Sequence, residues 1–136
     1  MNIADRFTEI AKIHHDKVAV RFPRRTGKNY RYKSITFGEL DTLAGKYANG
    51  LSEIGFRRGS KTLLFVRPSL KFPALVFALF KIGVIPVFID PGMGRKNLLA
   101  AIEEVAPEGL IAEPEVHLLR IFFNNSFKSV RFKVTT

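Results

Sequence analysis

At 136 residues the chain is long enough for one hydrophobic core and too short for two well-packed domains. Its 46% apolar and 25% charged residues, with 13 phenylalanines, exclude wholesale disorder, and the lack of cysteine excludes a disulfide framework and a thiolate metal site. A reducing, cytoplasmic setting is the expectation, while a net charge of +10 raises nucleic acid, anionic membrane or phosphate-bearing ligands as partners.

The first residues, with Asp5 among them, have no apolar stretch of the kind a secretory signal needs. Ile3, Phe7, Ile10, Ala11 and His14 recur at helical spacing and predict an amphipathic helix over 3–14. Strands are predicted over 18–22 and 30–35, joined by a polar turn over 23–29 in which Gly27 supplies a positive φ, which makes a hairpin with a basic tip. Thr36-Phe37-Gly38-Glu39 has the form of a capping box, so a helix is predicted to start there. Its apolar positions, from Phe37 and Leu40 to Leu51 and Ile54, fall on one face, and Gly55 ends it.

The apolar run 62–66, flanked by Lys61 and Arg67, reads as a strand buried on both faces of a parallel sheet. A helix follows from Pro68 and Ser69 through Ile82, closed by Gly83, and then a second all-apolar strand over 84–89. The stretch 72–89 is interrupted by Pro73, Lys81, Gly83 and Pro86, whereas a membrane span needs about 20 uninterrupted apolar residues. A loop over 90–94 leads into a helix over 95–105, stopped by Pro107; a short strand over 110–112 and a helix over 115–123, opened by Pro114, come next. In the tail, 124–136, Lys128, Arg131 and Lys133 alternate with Phe127, Val130, Phe132 and Val134, the pattern of one more strand.

This order predicts an α/β fold: a layered, mostly parallel sheet with helices on both faces, preceded by a β-hairpin. No linker or repeat divides it, so residues 1–136 are expected to form a single domain, and a strand pattern running to Thr136 without a capping element is expected to mark a truncation.

No catalytic, cofactor-binding or metal-ligating residue is assigned. Arg25-Thr26-Gly27-Lys28 lacks the earlier glycine of a phosphate loop, since Phe22 stands there, and Asn29 replaces its Ser or Thr. Gly92-Met93-Gly94-Arg95-Lys96 lies where a strand meets a helix and offers amides and cations to an anion, but without the third glycine of a dinucleotide fingerprint it reads as a tight connection. His14 and His15 would point about 100° apart on a helix, His117 is isolated, and no Ser sits on a nucleophile elbow. Glu103, Glu104, Glu113 and Glu115 read as solvated carboxylates.

Two segments carry a family resemblance. Ser34-Ile35-Thr36-Phe37-Gly38-Glu39-Leu40, followed by Tyr47-Ala48-Asn49-Gly50-Leu51 and Gly55-Phe56-Arg57-Arg58-Gly59, resembles the first core motif of the acyl-adenylate-forming, AMP-binding ligases. The segment from Leu79-Phe80-Lys81-Ile82-Gly83 through Val84-Ile85-Pro86-Val87-Phe88-Ile89-Asp90-Pro91 resembles their second. Both are packing signatures, and the resemblance runs to about His117. The segment from Asp90 to Leu99 is most similar to the fatty-acyl-CoA-ligase-like branch that includes the olefin β-lactone synthetases. The resemblance implies the N-terminal part of an enzyme that activates a fatty or other carboxylic acid with ATP and Mg2+, then passes the acyl group to CoA or an internal hydroxyl. It also implies that the phosphate loop, the adenine and ribose segments and the catalytic lysine lie beyond the matched region. This chain alone is therefore expected to be inactive and to bind no cofactor specifically.

The competing expectation is a basic module for nucleic acid or a membrane surface, in which Phe127, Phe132, Arg131 and Lys133 of the tail stack and pair on a single strand. No RNA- or DNA-module signature accompanies it, and the other cations are spread over a hairpin tip, loop edges and strand ends, so no specific nucleic-acid partner is expected and membrane contact would be peripheral.

Overall fold

The computed structural model describes residues 2–136. The chain divides into two compact units: one takes the residues up to Leu51 together with Pro68–Ile82, the other Ser52–Arg67 with Gly83–Thr136.

The first unit contains α1 (Ile3–Ile13), the antiparallel hairpin β1 (Val18–Thr26) and β2 (Asn29–Thr36), most of α2 (Phe37–Ile54), and α3 (Lys71–Lys81). Asn2 caps α1, its side chain accepting from the Ala4 N–H while the Asp5 carboxylate accepts from the Asn2 N–H at 2.9 Å. The predicted capping box opens α2: the Thr36 hydroxyl accepts from the Glu39 N–H at 3.2 Å, and the Glu39 carboxylate accepts from the Thr36 N–H at 2.9 Å. Phe7, Leu40 and Ala74, one from each helix, form the core of this unit, and the Phe7 and Phe77 rings stack with centroids 3.9 Å apart. Val20 and Ile35 bring the base of the hairpin onto the same core.

Two boundaries differ from the sequence reading here. The register pairs Thr26 with Asn29, so the turn is only Gly27 and Lys28 and the strands include most of what the sequence assigns to a loop. Gly27, at φ +62°, holds the first central position, which a type II′ turn reserves for glycine, and such a turn matches strand twist well enough for pairing to reach the tip. In α3 the start is Lys71, later than Pro68 and Ser69, and Pro73 is the reason. Only in the first turn is its missing N–H harmless, whereas a helix beginning at Pro68 would lose the bond from position 73 to the Ser69 carbonyl.

The second unit is built on β3 (Lys61–Phe65), β4 (Ile85–Val87), β5 (Gly109–Ala112) and β6 (Phe132–Thr135), in the order β4-β3-β5-β6 with every pair parallel. A 3-10 turn (Pro91–Met93) precedes α4 (Arg95–Val105), and α5 (Pro114–Phe122) follows β5. All four residues of β5 are buried, as its inner place in a parallel sheet requires. Leu98 and Ile102 of α4 pack with Leu63, Leu110, Ala112 and Phe127 into the core of this unit. Burial of each such side chain is worth about 1.5–3 kcal/mol. Ala106, in the left-handed conformation at φ 49°, ends α4 ahead of Pro107, and Lys61 Nζ donates to the Val105 carbonyl at 3.2 Å.

The strand predicted over 84–89 shrinks to three residues and is half-exposed, because β4 is an edge with a single neighbour. The Ile85 N–H donates to the Ser60 carbonyl, on the β3 side, so by alternation the nitrogen of Pro86 faces the free edge, where a missing donor costs nothing. The tail departs further from expectation. Residues 124–130 fold into consecutive tight turns, among them Ser126 N–H to the Phe123 carbonyl at 3.1 Å and Val130 N–H to the Phe127 carbonyl at 3.0 Å, and only Phe132–Thr135 is strand. These turns drive Phe127 into the core at 2% exposure.

Candidate functional site

In an open parallel sheet the crevice for ligands lies beyond the carboxyl ends of the strands, where the strand order reverses. The chain goes from β3 outward to β4 and then back across to β5, so the reversal falls between β3 and β5. Arg67 follows the first of these strands, and Glu113 and Glu115 follow the second. The Glu113 carboxylate accepts from the Arg67 backbone N–H at 3.2 Å, and the Glu115 carboxylate pairs with the Arg67 guanidinium at 3.2 Å. The mouth of the crevice thus carries a polar rim in which Arg67 meets two carboxylates, one through its charge and one through its backbone. Sequence reading takes both carboxylates as solvated, which holds for the exposed Glu115, and names Arg67 only as the flank of its strand without pairing it with either. Nothing local links positions 46 and 48 residues apart; only the strand–helix–strand order, which brings strand ends together, signals the meeting.

The other sequence candidates stay apart. In the turn before α4, the Gly92 amide is taken up within the loop, since the Asp90 carboxylate accepts from it at 2.8 Å. The Arg95 guanidinium lies over the Phe123 ring, 5.6 Å from its centroid. Arg25 and Lys28 sit exposed at the hairpin tip, where Arg25 Nε donates to the Gly27 carbonyl at 3.2 Å and no cradle forms. His14 caps α1 through its backbone; His15 Nδ1 lies 2.9 Å from the Asp16 carboxylate, and His117 Nε2 lies 3.0 Å from the Val134 carbonyl. The Ser126 hydroxyl donates to Glu103 at 2.6 Å, beside an open cavity of about 500 Å³ lined also by Phe122, Phe123 and Asn124. A second open cavity, of about 490 Å³, lies in the first unit between His15, Ser34, Glu39, Thr42 and Lys46. Its floor is Gly38, where a Cβ would come within 2.3 Å of His15 Nε2. Among the described residues no group of three His, Cys, Asp or Glu side chains is placed to hold a metal ion.

Burial also corrects the nucleic-acid reading of the tail. Phe127 belongs to the core, and the Phe132 ring packs on Phe56 at 5.5 Å, so neither ring is free to stack on a base. No helix among the described residues is long and apolar enough to cross a membrane.

Solved structures share this architecture. The anthranilate CoA ligase AuaEII, in complex with anthranoyl-AMP, superposes with a TM-score of 0.81 at 20% identity, covering 100% of this chain and 25% of that one. The N-terminal domain of FACL13 from Mycobacterium tuberculosis gives a TM-score of 0.79 at 15% identity, over 99% of this chain and 33% of that one. The fold is therefore the α/β fold found in the N-terminal domains of adenylate-forming enzymes. The AMP-binding enzyme family model matches residues 7–131, and this chain belongs to that family. The olefin β-lactone synthetase of Stenotrophomonas maltophilia is 38% identical over 124 residues, which are 88% of this chain and 22% of that protein. The chain thus spans less than a quarter of the length of that relative.

Proposed function

We propose that residues 1–136 are the N-terminal part of the first domain of an AMP-forming ligase, which activates a fatty or other carboxylic acid with ATP and Mg2+ as an acyl-adenylate and then transfers the acyl group to CoA or to an internal hydroxyl. The observation that carries this reading is the family match across residues 7–131 together with 38% identity to a β-lactone synthetase over 88% of the chain. An acceptor within the substrate, as in that relative, is the narrower form of the proposal. The setting proposed is cytoplasmic.

The residues present do not fit a nucleotide or its metal. In the loop before α4 the Gly92 amide is held by Asp90, at the sheet's crevice the Arg67 guanidinium is paired with Glu115, and among the described residues no acidic cluster stands ready for Mg2+. This chain therefore contributes the sheet and its packing, and no residue of it is given a role in adenylation.

A chimera tests the reading. The chain replaces the corresponding segment of the β-lactone synthetase, and fatty-acid-dependent pyrophosphate release is measured with the chimera and with the chain alone. The chimera is expected to release pyrophosphate and the chain alone to release none. A folded chimera without activity overturns the family role, and turnover by the chain alone overturns its inertness.

A further inference from the structure

Past Val20 and Ile35 the hairpin leaves the core of its unit, and residues 23–32 are all exposed. Between Val18 and Thr36 it carries six cations, Arg21, Arg24, Arg25, Lys28, Arg31 and Lys33, and no acid. The register sets Arg24 directly opposite Arg31, an arrangement that opposes folding because like charges face each other across the ladder. None of the six has an ion-pair partner among the described residues, whereas Arg6, Arg67 and Lys81 are each paired with a carboxylate. Keeping an exposed strand edge from aggregating needs a charge or two, and does not need an opposed pair.

The aromatic residues of the arm are arranged as well. On one face the register puts Arg25 opposite Tyr30, Pro23 opposite Tyr32 and Arg21 opposite Ser34. Tyr30 and Tyr32 are 64% and 69% exposed, and the register sets them two residues apart on the same face of one strand. A tyrosine has an apolar body and a hydrogen-bonding tip, which suits the depth of lipid headgroups, and an adjacent guanidinium suits their phosphates. Clustered Lys and Arg are drawn to an anionic leaflet.

We propose that the β1–β2 hairpin is a docking arm that enters an anionic phospholipid surface tip first, so that Arg25, Tyr30 and Tyr32 on one face of the ribbon and Arg24 and Arg31 on the other all reach the headgroup layer. The choice of lipid over nucleic acid rests on the proposed activation of a fatty acid, a substrate that partitions into membranes. Charge repulsion within the arm is then relieved when lipid phosphates come between its arginines.

The test uses the whole chain, with vesicles of phosphatidylcholine alone and with about 30% phosphatidylserine, at about 50 mM and about 500 mM salt. Sedimentation is expected to show binding to the phosphatidylserine vesicles only, and only at low salt. Arg24→Gln with Arg31→Gln is expected to weaken it about thirtyfold, while its thermal midpoint stays at or above the parent's because the repulsion is gone. The chain has no tryptophan and three tyrosines, two of them on the arm, so tyrosine emission should become shielded from acrylamide on binding. Equal binding to both vesicle types, an unaffected double variant, absence of binding, or tighter binding to a single-stranded oligonucleotide overturns the proposal. Neither ATP nor a fatty acid is used, so these outcomes are separate from failure of the chimera.

Discussion

Lys81 Nζ lies 2.9 Å from an Asp41 carboxylate oxygen, and both groups meet the Thr8 hydroxyl, which accepts from Lys81 at 2.8 Å and donates to Asp41 at 2.8 Å. Thr8 is on α1, Asp41 on α2 and Lys81 on α3, so one ring of three bonds ties all three helices of the first unit. The Lys81 and Asp41 side chains are only 22% and 24% exposed, which shields the pair from most solvent screening.

Lys81→Met keeps the length and apolar stem of the side chain but leaves Asp41 with the Thr8 hydroxyl alone. A loss of about 1–2 kcal/mol is expected, read as a lower urea midpoint at an unchanged slope. A midpoint equal to the parent's would show that the ring contributes nothing net.

Thr62 is fully buried on β3, and its hydroxyl has no hydrogen-bond partner. Thr62→Val preserves the branched shape and removes the stranded polar atom, so it is expected to stabilise the protein by about 1 kcal/mol. Thermal melting of the variant, with a midpoint raised by several degrees, is the check. The same corner is tight, since a Cβ on Gly109 would fall 2.5 Å from the Thr62 hydroxyl and from Phe56 Cε1. Gly109→Ala is expected to lower that midpoint.

Phe127→Ala removes a ring from among Leu63, Leu98, Ile102 and Leu110 and is expected to cost about 3–5 kcal/mol. Phe122→Ala, five residues away on α5, deletes a ring that is 74% exposed and should change stability by no more than about 0.5 kcal/mol. Denaturant titration of the two variants separates a folded-in tail from the exposed strand that its alternation suggests; equal costs would refute the packing described for Phe127.

What the sequence made legible was whatever is settled within a turn or two of chain. The Thr36–Glu39 box placed the start of α2, and α4 begins and ends where the sequence puts it, at Arg95 and Val105. The failures were decided by distant partners. The length of β4 depends on having a neighbour on one side only, and Phe127 is drawn out of its strand pattern by a core that α4 and β5 supply. The rim at Arg67, Glu113 and Glu115 was invisible for the same reason. No side chain along the sequence announced it, because its geometry comes from the parallel sheet.

Pro86 gives the sheet a direction of growth. With its bare nitrogen turned outward, the β4 side presents a broken row of donors to any incoming backbone, while the β6 side carries Phe132–Thr135 with no proline. A further strand, whether from the same polypeptide or from a misassembled neighbour, would therefore be templated beside β6, and self-association of this unit through its sheet should pair β6 with β6 and close as a two-fold dimer rather than extend.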